Sequence, residues 1–489
     1  MFALADGQGN GTSGLARHNG CAMDGNRSPG PCNRARERRT KMQKLVSKQC
    51  RGLAGTTPVP GDKSLSHRAL IIAALAVGES HITGLLESDD VLATAAALRQ
   101  LGVRINRDDN GVWHVRGGGI GGLAAPGEVL DFGNSGTGAR LLAGVLASHP
   151  VSAVLTGDPS LRRRPMGRIA GPLGLFGAAI TCSPGDRLPM TIRGARVPCP
   201  IRYRLPVPSA QVKSSLLLAA LNVPGVTTII EPVASRDHSE RLLALFGARL
   251  DMARDSDGAR LIQLHGQPAL KARSLAIPGD FSAAAFAIVA ALIVPDSALA
   301  IENTGINPTR SALLEVLRSM GGKVSTANAR QLDGEPVADL GIAGSPLEGV
   351  EVAAGRVPAM VDEYPVLAVA AACARGRTVM RGLGELRHKE SDRLAAMARG
   401  LAASGVAARL EGDDLFIDGA GGPPAGGAVI EAAGDHRIAM AFLVLGCVSR
   451  APITVRGCET IASSFPGFAD FINRLGGAIM APDDDCGGR

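Results

Sequence analysis

One pattern occurs six times in this chain, at a period of roughly 70–80 residues, and a repeat of that size dictates architecture. The unit runs: short strand, polar or Gly-rich turn, helix of small apolar residues, strand, charged loop, second helix, Gly, strand. The first-helix openings fall at residues 60–75, 133–146, 208–221, 278–292, 361–372 and 434–446. The strands that follow start near Ile82, Ala153, Thr228, Ala300, Thr378 and Ile453. Strand–helix alternation predicts an α/β fold with the most apolar helices buried. A helix N-terminus carries a partial positive charge and unpaired N–H groups. Lys63, Arg68, Arg164, Arg236, Lys389, Arg393 and Arg437 lie at or near those ends. A fold that gathers such ends around one cleft is built to hold anions.

Val59-Pro60-Gly61-Asp62 returns almost unchanged as Ile277-Pro278-Gly279-Asp280, at the starts of the first and fourth units. Two halves of three units each follow, with crossovers near residues 61 and 277. Second helices end at Gly102, Gly247, Gly321 and Gly476, which fits left-handed helix C-caps.

The net charge of +7 belongs to the N-terminal stretch: residues 1–51 hold 10 Lys/Arg against 3 Asp/Glu, and residues 52–489 hold 42 of each sign. The body therefore has no basic excess, and with 1 Trp and 2 Tyr it lacks stacking aromatics, which argues against a nucleic-acid surface. Residues 1–48 are rich in Gly, Asn, Arg and Ser and read as a disordered extension. A transit peptide, or a translation start at Met23 or Met42, would leave the same sequence. The longest apolar stretch, 283–294, is too short for a bilayer, and no secretory h-region follows the N-terminus. Nine scattered cysteines without C-x-x-C suit reduced thiols in a cytosol. The nine histidines show no metal-ligand spacing; His67, His238, His388 and His436 each sit beside a basic candidate instead.

Each motif also has a structural reading. In 60–68, Asp62 or Ser64 can cap the helix while Lys63 and Arg68 are solvated. The Gly-rich turn 133–140 lacks Walker spacing, so no ATP site is implied. Arg162-Arg163-Arg164 precedes Pro165, which argues for a fixed loop or a helix start. Asp362 can be a helix cap, and Lys389 and Arg393 fall at i and i+4, the spacing of one helical face. Six helix openings, four with Lys or Arg, are better explained together by a ligand with several negative charges.

PGDKSLSHR, LDFGNSGTGAR, RRRPMGR, PSAQVKSS, SRDHSER, DEYPVLAVAAA, HKESDRL and GDHRIAM jointly resemble the 5-enolpyruvylshikimate-3-phosphate (EPSP) synthase family from about Leu53 onward, in the style of its second, glyphosate-tolerant bacterial class. The resemblance implies two similar globes of three βαβαββ units each, an inside-out α/β barrel. The globes would be 49–61 plus 277–489 and 62–276, after a disordered 1–48. It implies enolpyruvyl transfer from phosphoenolpyruvate to the 5-hydroxyl of shikimate 3-phosphate, without metal or organic cofactor, in a cytoplasmic monomer. By the same resemblance, Lys63, Ser64, Arg68, Ser209, Gln211, Arg236, Asp362 and Lys389 contact shikimate 3-phosphate. Lys63, Gly136, Arg164, Gln211, Arg393 and Arg437 contact phosphoenolpyruvate. Asp362 is the base for the 5-hydroxyl, Glu390 the acid at the methylene carbon, and Lys63 joins them in catalysis. The sister family acting on UDP-N-acetylglucosamine carries a reactive Cys five residues before the Arg of Arg-Pro; here that position is Pro159. A non-catalytic anion binder of the same fold would not need both Asp362 and Glu390. Two departures stand out: Ser463-Ser464-Phe465-Pro466 where class-one enzymes have Lys before Thr-Phe-Pro, and Gly136 where the tolerant class has Ala.

Overall fold

The computed structural model describes residues 44–482. Among them lie six four-stranded sheets, all paired alike. In the second unit, strand Leu130–Asp131 leads into helix Gly136–Ala147 and on to the parallel strand Ser152–Thr156. The helices Pro159–Arg163 and Gly167–Gly174 follow, then the hairpin Ala179–Ser183/Arg187–Arg193, whose second strand pairs antiparallel with Ser152–Thr156. The parallel pair recurs in every sheet and the antiparallel hairpin in five; in the sixth, the N-terminal strand Lys44–Ser47 stands where the hairpin's second strand would be. The α/β repeat read from the sequence is therefore the architecture. The sheets stay separate; they do not hydrogen-bond into a closed ring.

The first helices fill the centres. Every residue of Phe281–Ile293 is buried, and it packs against Tyr364–Cys373 and His436–Gly446, which also touch each other. Helices without a polar face can only be stable inside, which explains the runs of Ala, Leu and Val. Small residues set the spacing: a Cβ at Gly144 would sit 2.1 Å from the Ser215 carbonyl oxygen of the neighbouring helix Ala210–Ala220. The hydrophobic residues form two cores. One runs from Leu65 to Ile277; the other joins Leu45, Leu53 and Val59 to residues between Phe281 and Ile479.

The connections between the cores exchange strands. Ala54–Pro58 pairs in parallel with Ala298–Gly305, while Ser274–Ala276 pairs in parallel with Val77–Thr83. The chain passes over at Pro60–Asp62 and back at Pro278–Asp280, where Gly61 and Gly279 bridge each other. A Cβ at Gly61 would lie 1.9 Å from the Gly84 carbonyl oxygen, so the turn after Val77–Thr83 comes too close for any residue but glycine there.

One expectation needs correction. Residues 44–47 fall within the stretch read as a disordered extension, yet Lys44–Ser47 is a strand. It pairs antiparallel with Ile453–Arg456 and Ile479–Met480, completing the sixth sheet, and Leu45 is buried. A four-residue strand next to a basic stretch offers too little periodicity to be read without its partners. Residues 1–43 lie outside the described residues. Among the described residues, no helix is long and apolar enough to cross a membrane.

Candidate active site

Helix openings from both cores face one cavity of about 560 Å³. Its lining includes Lys63, Ser64, Arg68, Gly136, Arg164, Ser209, Gln211, Arg236, Asp362, Lys389, Glu390 and Arg437. Of the residues assigned to catalysis or substrate contact, Arg393 alone is not in the wall; it lies behind it, 1 % exposed.

Asp62 caps the helix Lys63–Leu75, accepting from the Leu65 N–H at 2.9 Å. Capping and cation placement are thus both true of this motif. Lys63 Nζ lies 3.0 Å from Asp90 Oδ2 and 3.5 Å from the Ser463 carbonyl oxygen. Arg68 is buried and donates to Ser239 Oγ at 2.7 Å, Ser214 Oγ at 2.8 Å and the Ser64 carbonyl at 2.9 Å. Burial pulls its pKa down to about 10. Ser209 caps Ala210–Ala220, placing Gln211 where Oε1 accepts from Arg140 Nη1 at 2.9 Å. Gly136 opens Gly136–Ala147 behind the cap Ser135. The arginine run closes the helix Pro159–Arg163 rather than starting one: Arg164 is its C-cap, and its guanidinium donates to Asn134. Burial, with Arg164 and Arg168 close by, draws Arg140 to about 9. An anion bound beside Arg140 would offset both effects.

The opposite wall carries the carboxylates. Asp362 is not a helix cap. It occupies the turn between Val357–Met360 and Tyr364–Cys373, and its carboxylate meets Arg236 Nη2 at 2.8 Å and Arg393 Nη1 at 3.1 Å. Nor do Lys389 and Arg393 share a helical face. Lys389 follows the short 3₁₀ turn Gly384–His388 in extended backbone, and the next helix begins only at Arg393, capped by Asp392. The i, i+4 spacing spans a helix boundary. Arg393 instead ties the wall together, pairing with Asp362, Glu390 and Asp435. Asp435 also accepts from the Arg437 N–H at 2.9 Å, and Arg437 Nη1 donates to the Asp362 carbonyl at 2.9 Å. Lys389 stands 3.9 Å from Glu385, and burial lowers its pKa.

Burial raises and arginines lower the two central acids, and the arginines win. Asp362 is held well below the usual carboxylate range by Arg437, Arg236, Lys389 and Arg393 against the effect of burial. Glu390 is held well below it by Arg393, Arg164 and His436, again against burial. Both are ionised at neutral pH. Arg164 Nη1 reaches Glu390 Oε1 at 3.5 Å, so each acid is paired with an arginine from the other core.

Several residues here were not singled out from sequence. Asp90 fixes Lys63. Arg310 bridges the two capping acids, 2.7 Å from Asp280 and 3.5 Å from Asp62. Two Pro-Gly-Asp motifs buried at one crossover demand a cation, and that was the available signal. Arg168, the last residue of the RRRPMGR motif, pairs with Glu385 at 3.0 Å across the cavity; nothing local marks that pairing. His436 lines the wall with Nε2 unpartnered; burial, with Lys63 and Arg437 nearby, keeps it neutral at pH 7.

The family model described as EPSP synthase (3-phosphoshikimate 1-carboxyvinyltransferase) matches residues 48–472. The chain belongs to the EPSP synthase family. A 3-phosphoshikimate 1-carboxyvinyltransferase of Rhodospirillum rubrum is 56% identical over 431 residues, covering 87% of this chain and 96% of that protein. One of Novosphingobium aromaticivorans is 54% identical over 424 residues, covering 86% and 96%. The solved EPSP synthase of Acinetobacter baumannii superposes with a TM-score of 0.79 at 43% identity, covering 89% of this chain and 99% of its own. The enolpyruvyl transferase NikO of Streptomyces tendae, at 19% identity and a TM-score of 0.70, shares the fold. The position that would carry the reactive Cys of the sister family is Pro159, at the start of the helix Pro159–Arg163. None of the described cysteines lines the cavity.

Proposed function

We propose that this cavity transfers the enolpyruvyl group of phosphoenolpyruvate to the 5-hydroxyl of shikimate 3-phosphate, releasing phosphate. The observation that carries this reading is the pairing of two partly buried carboxylates with a wall of cations. Asp362 and Glu390 face Lys63, Arg68, Arg164, Arg236, Lys389 and Arg437 in one cavity. Each substrate carries a phosphate and a carboxylate, and these balance the cations.

Arg236, Arg68, Lys389, Ser64, Ser209 and Gln211 hold shikimate 3-phosphate in this reading. Arg164, Arg437, Lys63 and the backbone at Gly136 hold phosphoenolpyruvate, with Arg393 acting through the acids it orients. The 5-hydroxyl oxygen attacks C2 of phosphoenolpyruvate, Asp362 takes the hydroxyl proton, and Glu390 delivers a proton to C3. Phosphate then leaves from C2 while Glu390 recovers a proton from C3, which regenerates the double bond. A charged Glu390 is a poor acid. A substrate phosphate that takes over Arg164 replaces an attractive charge with a repulsive one and raises Glu390's proton affinity. Capture of Arg236 by shikimate 3-phosphate does the same for Asp362. Substrate binding thus prepares both groups.

We further propose that the chain works as two globes, 49–61 plus 277–489 and 62–276, closing on the substrates as a cytoplasmic monomer. The separate hydrophobic cores and the paired crossovers support this division. Phosphate release from phosphoenolpyruvate, measured with and without shikimate 3-phosphate, tests the reaction. Release that depends on shikimate 3-phosphate is expected. Release that requires a UDP-sugar, or none with either acceptor, would overturn it.

A further inference from the structure

Away from the cavity, strands Val77–Thr83 and Trp113–Gly118 pair antiparallel with His81 directly opposite His114. Glu79 lies two residues before His81 and so shares its sheet face. Glu79 Oε1 is 3.3 Å from His81 Nε2 and 3.5 Å from His114 Nδ1, and one ligand atom from each of the three residues lies within 4.8 Å of the other two. Around a tetrahedral ion with bonds of about 2.0–2.1 Å, neighbouring ligand atoms stand about 3.3 Å apart. Two edges of the triangle already have nearly that length. Rotation of the half-exposed His81 ring closes the third.

The outer ring nitrogens are also placed. His114 Nε2 meets Asp108 Oδ2 at 3.3 Å, and His81 Nδ1 meets Ser274 Oγ at 3.4 Å. Metal-binding imidazoles are commonly oriented in this way, by a carboxylate or other polar group on the nitrogen facing away from the ion. Two imidazoles and a carboxylate with backing groups exceed what a solvated surface ion pair requires. No spacing in the sequence shows this, because His81 and His114 meet only through strand pairing.

We propose that Glu79, His81 and His114 form a surface site for a divalent transition-metal ion, with Zn²⁺ the best match to two nitrogens and one oxygen and with water completing the shell. None of the three lines the active-site cavity, so the ion's effect is structural. It cross-links two strands of the sheet whose edge strand Ser274–Ala276 leads into the crossover at Ile277.

The test uses the full chain stripped with EDTA and titrated with Zn²⁺ against a chromophoric chelator. One saturable site per chain is expected. His81→Ala and His114→Ala should abolish it, and Asp108→Asn should weaken it about 10-fold or more. Zn²⁺ should raise the thermal midpoint of the wild type and leave both histidine variants unmoved. Co²⁺ bound to the wild type reads the ligands without any substitution: weak visible bands mark nitrogen and oxygen ligands, whereas a strong near-ultraviolet band marks cysteine thiolate. No stoichiometric binding, a thiolate band, or Zn²⁺ binding unchanged in His81→Ala and His114→Ala would overturn the proposal.

Discussion

Arg236 Nη2 lies 2.8 Å from Asp362 Oδ2, joining a loop of one core to a turn of the other. In the proposed reaction the phosphate of shikimate 3-phosphate competes with Asp362 for this guanidinium. Arg236→Met should therefore raise the KM for shikimate 3-phosphate at least about 10-fold, the scale of one lost charge-assisted contact, while the KM for phosphoenolpyruvate changes little. Saturation curves for each substrate in turn check this; equal rises in both would remove Arg236 from a substrate-specific role.

Glu390→Gln should lower turnover by about 10²-fold or more with binding of shikimate 3-phosphate largely kept, because the amide can neither give nor recover the C3 proton. Steady-state rates beside a direct binding titration separate the two effects. A near-normal rate would place the proton transfer elsewhere.

The depressed pKa values of Asp362 and Glu390 carry a stability signature. A carboxylate held lower in the folded than in the unfolded chain stabilises above the unfolded value of about 4, and loses that contribution as pH falls through the folded value. The thermal midpoint of Glu390→Gln should thus fall below that of the wild type at pH 6–8 by an amount that shrinks as pH drops below about 4. A gap independent of pH would mean that Glu390 contributes through packing alone.

Gly136 tests inhibitor discrimination. A Cβ there would lie 2.9 Å from Arg140 Nη1 and 3.1 Å from Arg164 Nη1. A methyl group must push aside the ends of two flexible side chains, one of them assigned to phosphoenolpyruvate. Glyphosate, which occupies this site in the family and is longer than the substrate, should lose more affinity than phosphoenolpyruvate in Gly136→Ala. Inhibition and saturation curves for both forms decide it, and equal losses would show that Gly136 does not discriminate.

The N-terminal boundary is open to truncation. A chain starting at Met42 keeps the strand Lys44–Ser47 and should keep the wild-type thermal midpoint. One starting at Cys50 loses the strand between Ile453–Arg456 and Ile479–Met480 and exposes the face that Leu45 covers. Its midpoint should fall by several degrees, and calorimetry of both checks it.

Six helix openings and their cations were legible in the chain because hydrophobic periodicity and Pro-Gly-Asp turns are local. The buried helices, the glycine C-caps and the strand–helix order follow from residues a few positions apart. So does the placement of Lys63 and Arg437 at helix starts, whereas Arg164 closes a helix instead. The i, i+4 reading of Lys389 and Arg393 failed because spacing cannot show that a helix begins between them. Arg393 behind the wall, Asp90 on Lys63, Arg310 between Asp62 and Asp280, and the strand at Leu45 were not legible. Each depends on a partner dozens to hundreds of residues away.

The sequence by itself determined which groups this protein can bring to an anion, since residue type and helix phase are written locally. Only the tertiary structure decided their protonation and pairing. The pKa of Glu390 depends on whether burial or the contacting guanidinium groups of Arg393 and Arg164 dominate, and those arginines come from both cores. His81 and His114 likewise became neighbours only when two strands 33 residues apart fell into register. Coulomb and coordination energies depend on distance through space, and distance along the chain does not report it.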